Sequence, residues 1–256
     1  MSFWLADYNH VVAHQSYGRS IANLSREEKQ SIWEQAVHYN ERLVNSVIND
    51  PFANIENIDP FDEYYQTLDI GDGVMGYIHI PNIDVLLPIY HGVSEDVLDA
   101  GVGHIQATAL PVGGEGTHAV LTGHTGLSHA KMFNDLAQLK QGDGFYLEIL
   151  DETLAYQIVN IEVVLPDDVS SLHREYGKDK VTLVTCTPYS VNSHRLLVIG
   201  ERVPYVEDME QSKEVPKVTF PWWILFVLIF LVLFVLLLGR RMRIKTIGEE
   251  AHERKT

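Results

Sequence analysis

The sequence predicts a mainly β domain, seven or eight short strands forming a closed or nearly closed barrel, with helices before it and an apolar helix after it. Three observations lead there. From Gly73 to Val203, short runs rich in β-branched and aromatic residues alternate with Gly, Pro, Asn and Asp turns, the mark of a barrel with few helices. Between residues 25 and 49, apolar side chains recur at helical spacing. From Phe220 to Leu238 no residue is charged. These features divide the 256 residues into a helical region (1–49), a lid-like loop (50–72), the barrel (73–203), a polar linker (204–219), an apolar helix (220–239) and a basic tail (240–256).

The first strong helix starts at a capping box. Ser25 is placed to accept from the backbone three residues on, and Glu28 to reach back. Ile32, Ala36, Tyr39, Leu43 and Val47 then mark one face, and Pro51 disfavours helix at Asp50, which sets the expected end near Asn49. A weaker helical segment is expected around residues 5–22. Residues 50–72 are acidic and broken by proline, with Asp50-Pro51-Phe52 echoed by Asp59-Pro60-Phe61. A long loop of this kind in a compact domain is commonly a lid or binding loop, although Asp-Pro is also an ordinary helix opening. Strands are expected at Val74–Ile80, Asp84–Ile89, His118–Thr122, Gly144–Ile149, Thr153–Val164, Val181–Thr185 and Arg195–Val203, and short helices at Glu95–Ala100 and Ala130–Leu139.

The run from Trp222 to Leu238 is long enough for a slightly short membrane-spanning helix. A buried core helix would ordinarily keep a polar stripe, and this run has none. Trp222 and Trp223 mark one end as interfacial, while Arg240, Arg241, Arg243 and Lys245 follow the other. The positive-inside rule then puts the tail in the cytoplasm and the barrel outside the cell membrane. No apolar export signal opens the chain, which suggests that the natural start lies further upstream. The net charge is −16; the tail holds six basic and three acidic residues, leaving the rest at −19. Such a domain repels phosphate backbones, which excludes nucleic acid as a partner.

A single cysteine, Cys186, excludes an internal disulfide. It ends an apolar strand, Val181-Thr182-Leu183-Val184-Thr185, where a rigid support can present a nucleophile. A thiol attacks as thiolate, so a base or cation is needed nearby. His124 lies just after a strand between Gly123 and Gly126, and Arg195 begins the strand after Cys186, where a hairpin would set the two side by side. Taken singly, a Gly-flanked His and a strand-end Arg are commonplace. His118, His124 and His129 lie close in sequence but match no common zinc spacing, and neither a metal nor a cofactor is expected.

Thr182-Leu183-Val184-Thr185-Cys186 resembles the TLxTC signature of sortases, the membrane-bound cysteine transpeptidases of Gram-positive bacteria, and Leu121-Thr122-Gly123-His124 and Arg195 match in the order His, Cys, Arg. The resemblance runs from about Ser16 to Tyr205. Residues 73–81 and 87–92, the C-terminal apolar helix and the Asp-Pro-aromatic motif are similar to class C, the pilin-polymerising sortases.

That resemblance implies an eight-stranded barrel with Cys186, His124 and Arg195 as catalytic residues. It also implies a lid whose Asp pairs with the Arg and whose ring covers the Cys. Asp50, Pro51 and Phe52 fit this best because they follow the long helix, with Asp59 and Phe61 as the alternative. The implied reaction cleaves an LPxTG-like signal between Thr and Gly, forms a thioester on Cys186, and transfers the acyl group to a Lys of another pilin subunit. Attachment of surface proteins to the cell wall, a non-catalytic binding domain on the same barrel, and a secreted cysteine protease are the competing readings.

Overall fold

The computed structural model describes residues 3–43, 62–71, 73–127 and 130–205, with scattered positions between 222 and 234. It divides into two compact units, Met1–Lys217 and Val218–Thr256.

In the first unit eight strands close into a barrel: β1 (Val74–Ile80), β2 (Val85–His91), β3 (Val102–His104), β4 (Thr117–Thr122), β5 (Gly144–Ile149), β6 (Glu152–Val164), β7 (Asp179–Thr187) and β8 (His194–Val203), in the order β1-β2-β3-β4-β7-β8-β6-β5. Seven of these follow the expected runs to within two residues. The eighth, β3, was not expected. Three residues with a central glycine are too short for a period-two pattern, and Gly103 is required because a Cβ there would lie 2.4 Å from the Gly92 carbonyl oxygen.

Two neighbouring pairs are parallel, β2 with β3 and β4 with β7. Parallel neighbours need a crossover. The first is made by helix α4 (Glu95–Ala100), capped by the Ser94 hydroxyl accepting from the Val97 amide; the second carries the β5–β6 hairpin.

Strand alternation sorts the side chains into two apolar groups. Val181, Leu183, Leu196, Val198, Ala119 and Leu121 point into the barrel with Phe145, Tyr156 and Ile78. Val184, Leu197, Ile199 and Val120 point outward, where Ile105 and Leu172 complete a second cluster. Among these residues only positions of one parity on each strand join the outer cluster, and the candidate site is built on that parity.

Helices α1 (Phe3–Ala22) and α2 (Arg26–Arg42) pack on the barrel. Tyr17 anchors α1, its hydroxyl donating to the Met75 carbonyl (3.1 Å) and accepting from the Leu150 amide (2.9 Å). Helix α2 has the expected capping box, with both reciprocal bonds formed. It ends at Arg42 rather than near Asn49. The Leu43 carbonyl is taken by the Arg174 guanidinium at 2.6 Å, and buried Asn40 exchanges two hydrogen bonds with the Leu110 backbone, so tertiary bonds fix the end before the proline acts. The expected helix over Ala130–Leu139 is only a 3-10 turn at Leu136–Gln138. Met132 has φ of 41°, and the Phe133 amide donates back to the His124 carbonyl, so the backbone ties down the loop instead of extending a helix.

Residues 62–71 carry a further short helix, α3 (Glu63–Gln66), that the sequence left inside the loop. Tyr64 from α3 is fully buried, accepting from the Gly92 amide (2.9 Å) and meeting His104 Nδ1 (2.9 Å). His104 Nε2 donates to the Ala109 carbonyl, which fixes the neutral tautomer; burial pushes this imidazole down to about 3. His118, between the His173 carbonyl and the Thr182 hydroxyl, is pushed down by burial to about 4.

Both histidines stay neutral in the fold at a pH where the unfolded chain takes up protons. Their contribution is therefore complete above pH 6.5 and is lost as pH falls toward their folded values. The urea midpoint should decline already between about pH 6.5 and 5, above the main carboxylate range. A flat profile across that window contradicts the assignment.

Candidate active site

Strand pairing determines which side chains share the outer face around Cys186. In the antiparallel β7–β8 pair Cys186 stands directly opposite Arg195, two positions beyond the Val184–Leu197 pair. Directly opposed residues point to the same face. Both therefore lie on the side of the outer cluster.

In the parallel β4–β7 pair the last partners are Thr122 and Val184. The ladder goes one step further, because the Gly123 amide donates to the Val184 carbonyl (3.1 Å) and the Thr185 hydroxyl donates to the Gly123 carbonyl (2.7 Å). Continuing that register past the end of β4 sets His124 level with Cys186 on β7, on the parity of Val120 and Val184. Cys186 sits on the middle strand, with His124 from one neighbour and Arg195 from the other. The structure brings together the three residues that the sequence picks out.

The two glycines beside His124 serve different ends. Gly126 has φ of 89°, and an added Cβ would touch the Tyr189 ring at 3.6 Å. Its amide donates to the Asn134 side-chain oxygen at 2.6 Å, which pins the turn. Gly123 is not in the left-handed region; it is required by the Phe133 ring, which a Cβ would approach to 2.9 Å. Gly126 makes the turn after His124, and Gly123 allows the close packing before it.

Arg195 is buried, only 8% exposed, and its Nη1 donates to the Asn192 and His194 carbonyls, both at 3.2 Å. These bonds fix the guanidinium at the base of the β7–β8 loop. Cys186 is half-buried, and Tyr189 and Val191 in that loop expose apolar surface (64% and 68%) beside it. Burial pulls the His124 imidazole below its usual range, while Asp99 and Glu95 oppose the shift. Sequence reasoning missed that acidic pair on α4; helical spacing of the two carboxylates was the available signal, but nothing in the sequence placed α4 beside His124.

A half-exposed thiol, an imidazole on one side and a fixed guanidinium on the other can support nucleophilic attack on a carbonyl, proton transfer and oxyanion binding. The lid candidates Asp50, Pro51, Phe52, Asp59 and Phe61 lie outside the described residues. So does His129. His118 engages both ring nitrogens in hydrogen bonds, and among the described residues no group of three His, Cys, Asp or Glu side chains is arranged to hold a metal ion.

The pattern that defines the Sortase domain matches residues 78–203, from β1 to the end of β8. Sortase C-1 of Actinomyces oris has a solved structure 51% identical to this chain, covering 69% of it and 99% of that chain, with a TM-score of 0.66. The chain belongs to the sortase family. Sortase members are cysteine transpeptidases. Sortase C of Streptococcus pneumoniae is similar as well, 41% identical with a TM-score of 0.70, covering 75% of this chain and 97% of that one. Sortase A of Bacillus anthracis is 33% identical over 130 residues, 51% of this chain; the chain spans 60% of that curated relative's length. Class C sortases are among the solved structures that this sortase resembles at 40% identity or more, and their match covers 69–80% of the chain, more than the domain pattern spans.

Proposed function

We propose that this sortase is a pilin-polymerising transpeptidase in which Cys186 is the nucleophile, His124 the acid and base, and Arg195 the oxyanion donor. The observation that carries the reading is the shared parity of the three residues, with Cys186 between the other two on one apolar outer face. The Cys186 thiolate attacks the Thr carbonyl of an LPxTG-like signal. The C–N bond to Gly breaks, and His124 as imidazolium gives its proton to the departing amine. The thioester is then attacked by a Lys amine of a pilin subunit. The C–S bond breaks, neutral His124 takes a proton from the attacking nitrogen, and the thiolate returns.

The pilin assignment draws on the relatives. The Streptococcus pneumoniae enzyme's structure bears on pilin substrate specificity, and a similar group B Streptococcus sortase C is described as pilus-related. The lid reading, with Asp50 and Phe52 or their repeat at Asp59 and Phe61, belongs to the same proposal.

We also propose that the second unit anchors the enzyme in the cell membrane, with the barrel on the outer side. Among the described residues no helix is long and apolar enough to cross a membrane. The helical positions that are described in this unit expose apolar side chains, Phe226 (72%) and Phe230 (66%) among them, a pattern suited to lipid. Incubation with pilin subunits bearing an LPxTG-like signal is expected to give covalent ladders on denaturing gels. Adducts formed only with wall peptide would favour attachment to the cell wall instead, which the likeness to sortase A makes the second reading.

A further inference from the structure

Helix α4 lies between the parallel strands β2 and β3, and β3 pairs with β4 in the register Gly103–Thr122 and His104–Leu121. Continuing that register outward sets Gly101, the cap of α4, opposite His124. The helix therefore ends beside the imidazole. Glu95 and Asp99 are four residues apart, hence on one stripe of α4, and both are exposed. Leu98, on the flank of that stripe, is buried and holds the helix down. The stripe and the imidazole thus share an edge of the barrel, and the carboxylates act on His124 through their charge.

The chemistry of the site makes this placement matter, provided the acyl-transfer reading is right. His124 must carry a proton when the Gly amine leaves, yet it is half-buried, and burial works against its charged form. Among the described residues, Cys186 on β7 and Arg195 on β8 share that face. In the loop after His124, Lys131 and Asp135 pair with each other at 3.4 Å and largely offset one another. The stripe of α4 supplies the carboxylates that favour imidazolium.

We infer that Glu95 and Asp99 are positioning residues for His124, an acidic stripe that favours a proton on the imidazole beside the Cys186 thiol. They touch neither substrate nor reacting atoms. Their effect is on how much of the enzyme has the acid ready when the amine departs.

The test is an NMR titration of the His124 Cε1 proton in the intact barrel, with the signal assigned by its loss in His124→Gln. In Glu95→Gln/Asp99→Asn the midpoint is expected to fall by roughly half to one pH unit, the scale of two exposed charges acting across solvent. Raising salt should move the parent toward the variant, because exposed charges are screened. Acylation rates should fall about three- to tenfold above the midpoint and stay unchanged below it. Asp96→Asn, at the flank of that stripe, should move the midpoint clearly less than the double variant does. An unmoved midpoint in the double variant, or an equal shift in Asp96→Asn, overturns the inference. The titration needs no turnover, so its failure leaves the acyl-transfer reading standing, and an inactive enzyme would still report the midpoint.

Discussion

Replacing Cys186 with Ala is expected to abolish acyl transfer, cutting turnover by roughly 10³-fold or more, while leaving the barrel folded. The thiol is the only one in the chain, so no neighbouring sulfur can take over. What survives would be whatever Arg195 and bound substrate contribute to direct attack by water, and that residue of catalysis produces no thioester. Stability should change by about 1 kcal/mol at most, because Cys186 is half-buried at a strand end and its ladder bonds are made by backbone. Paired measurement of peptide turnover and urea midpoint separates the two effects. Ladders formed at the parent's rate by the Ala variant would contradict Cys186 as the nucleophile.

The second large effect is expected at Arg195. Arg195→Lys keeps the charge, yet it should lower kcat by about 10²-fold with a smaller change in KM. The guanidinium uses Nη1 to bond the Asn192 and His194 carbonyls, and its planar fork carries N–H groups on more than one edge, directly across the ladder from Cys186. An ammonium on a flexible stem can satisfy those carbonyls or meet a developing oxyanion, but it cannot hold both geometries at once. At only 8% exposure, water cannot fill the missing position readily. If Arg195 merely braced the loop, the urea midpoint would drop and kcat would not, so steady-state kinetics beside denaturation decides between the roles.

Much of this was legible in the sequence because strand alternation is a strong local signal. The runs around Val74–Ile80 and Gly144–Ile149 are bounded by turn residues and match β1 and β5 in full. The hairpin expected from the spacing of Cys186 and Arg195 is the register observed. What local pattern could not give was the parallel pairing of β4 with β7, set by a crossover of more than fifty residues, and that pairing brings His124 to the level of Cys186. The short strand β3 escaped for a related reason. Its identity comes from neighbours on both sides, since three residues carry no period. The end of α2 was misplaced because Pro51 was the only stop signal in the sequence, while the real stop uses Arg174, far along the chain. The acidic stripe on α4 has the same origin, since helical spacing is local and nearness to His124 is not.

The central claim is that Cys186 carries the acyl group. Its most direct test is to mix the enzyme with a peptide bearing an LPxTG-like signal, quench in acid, and map the adduct by mass spectrometry. The account predicts a thioester on Cys186 bearing the peptide up to Thr, released by hydroxylamine and absent from Cys186→Ala. Cleavage of the peptide at Thr–Gly with no adduct on Cys186 at any time, or an adduct on another residue, would contradict it.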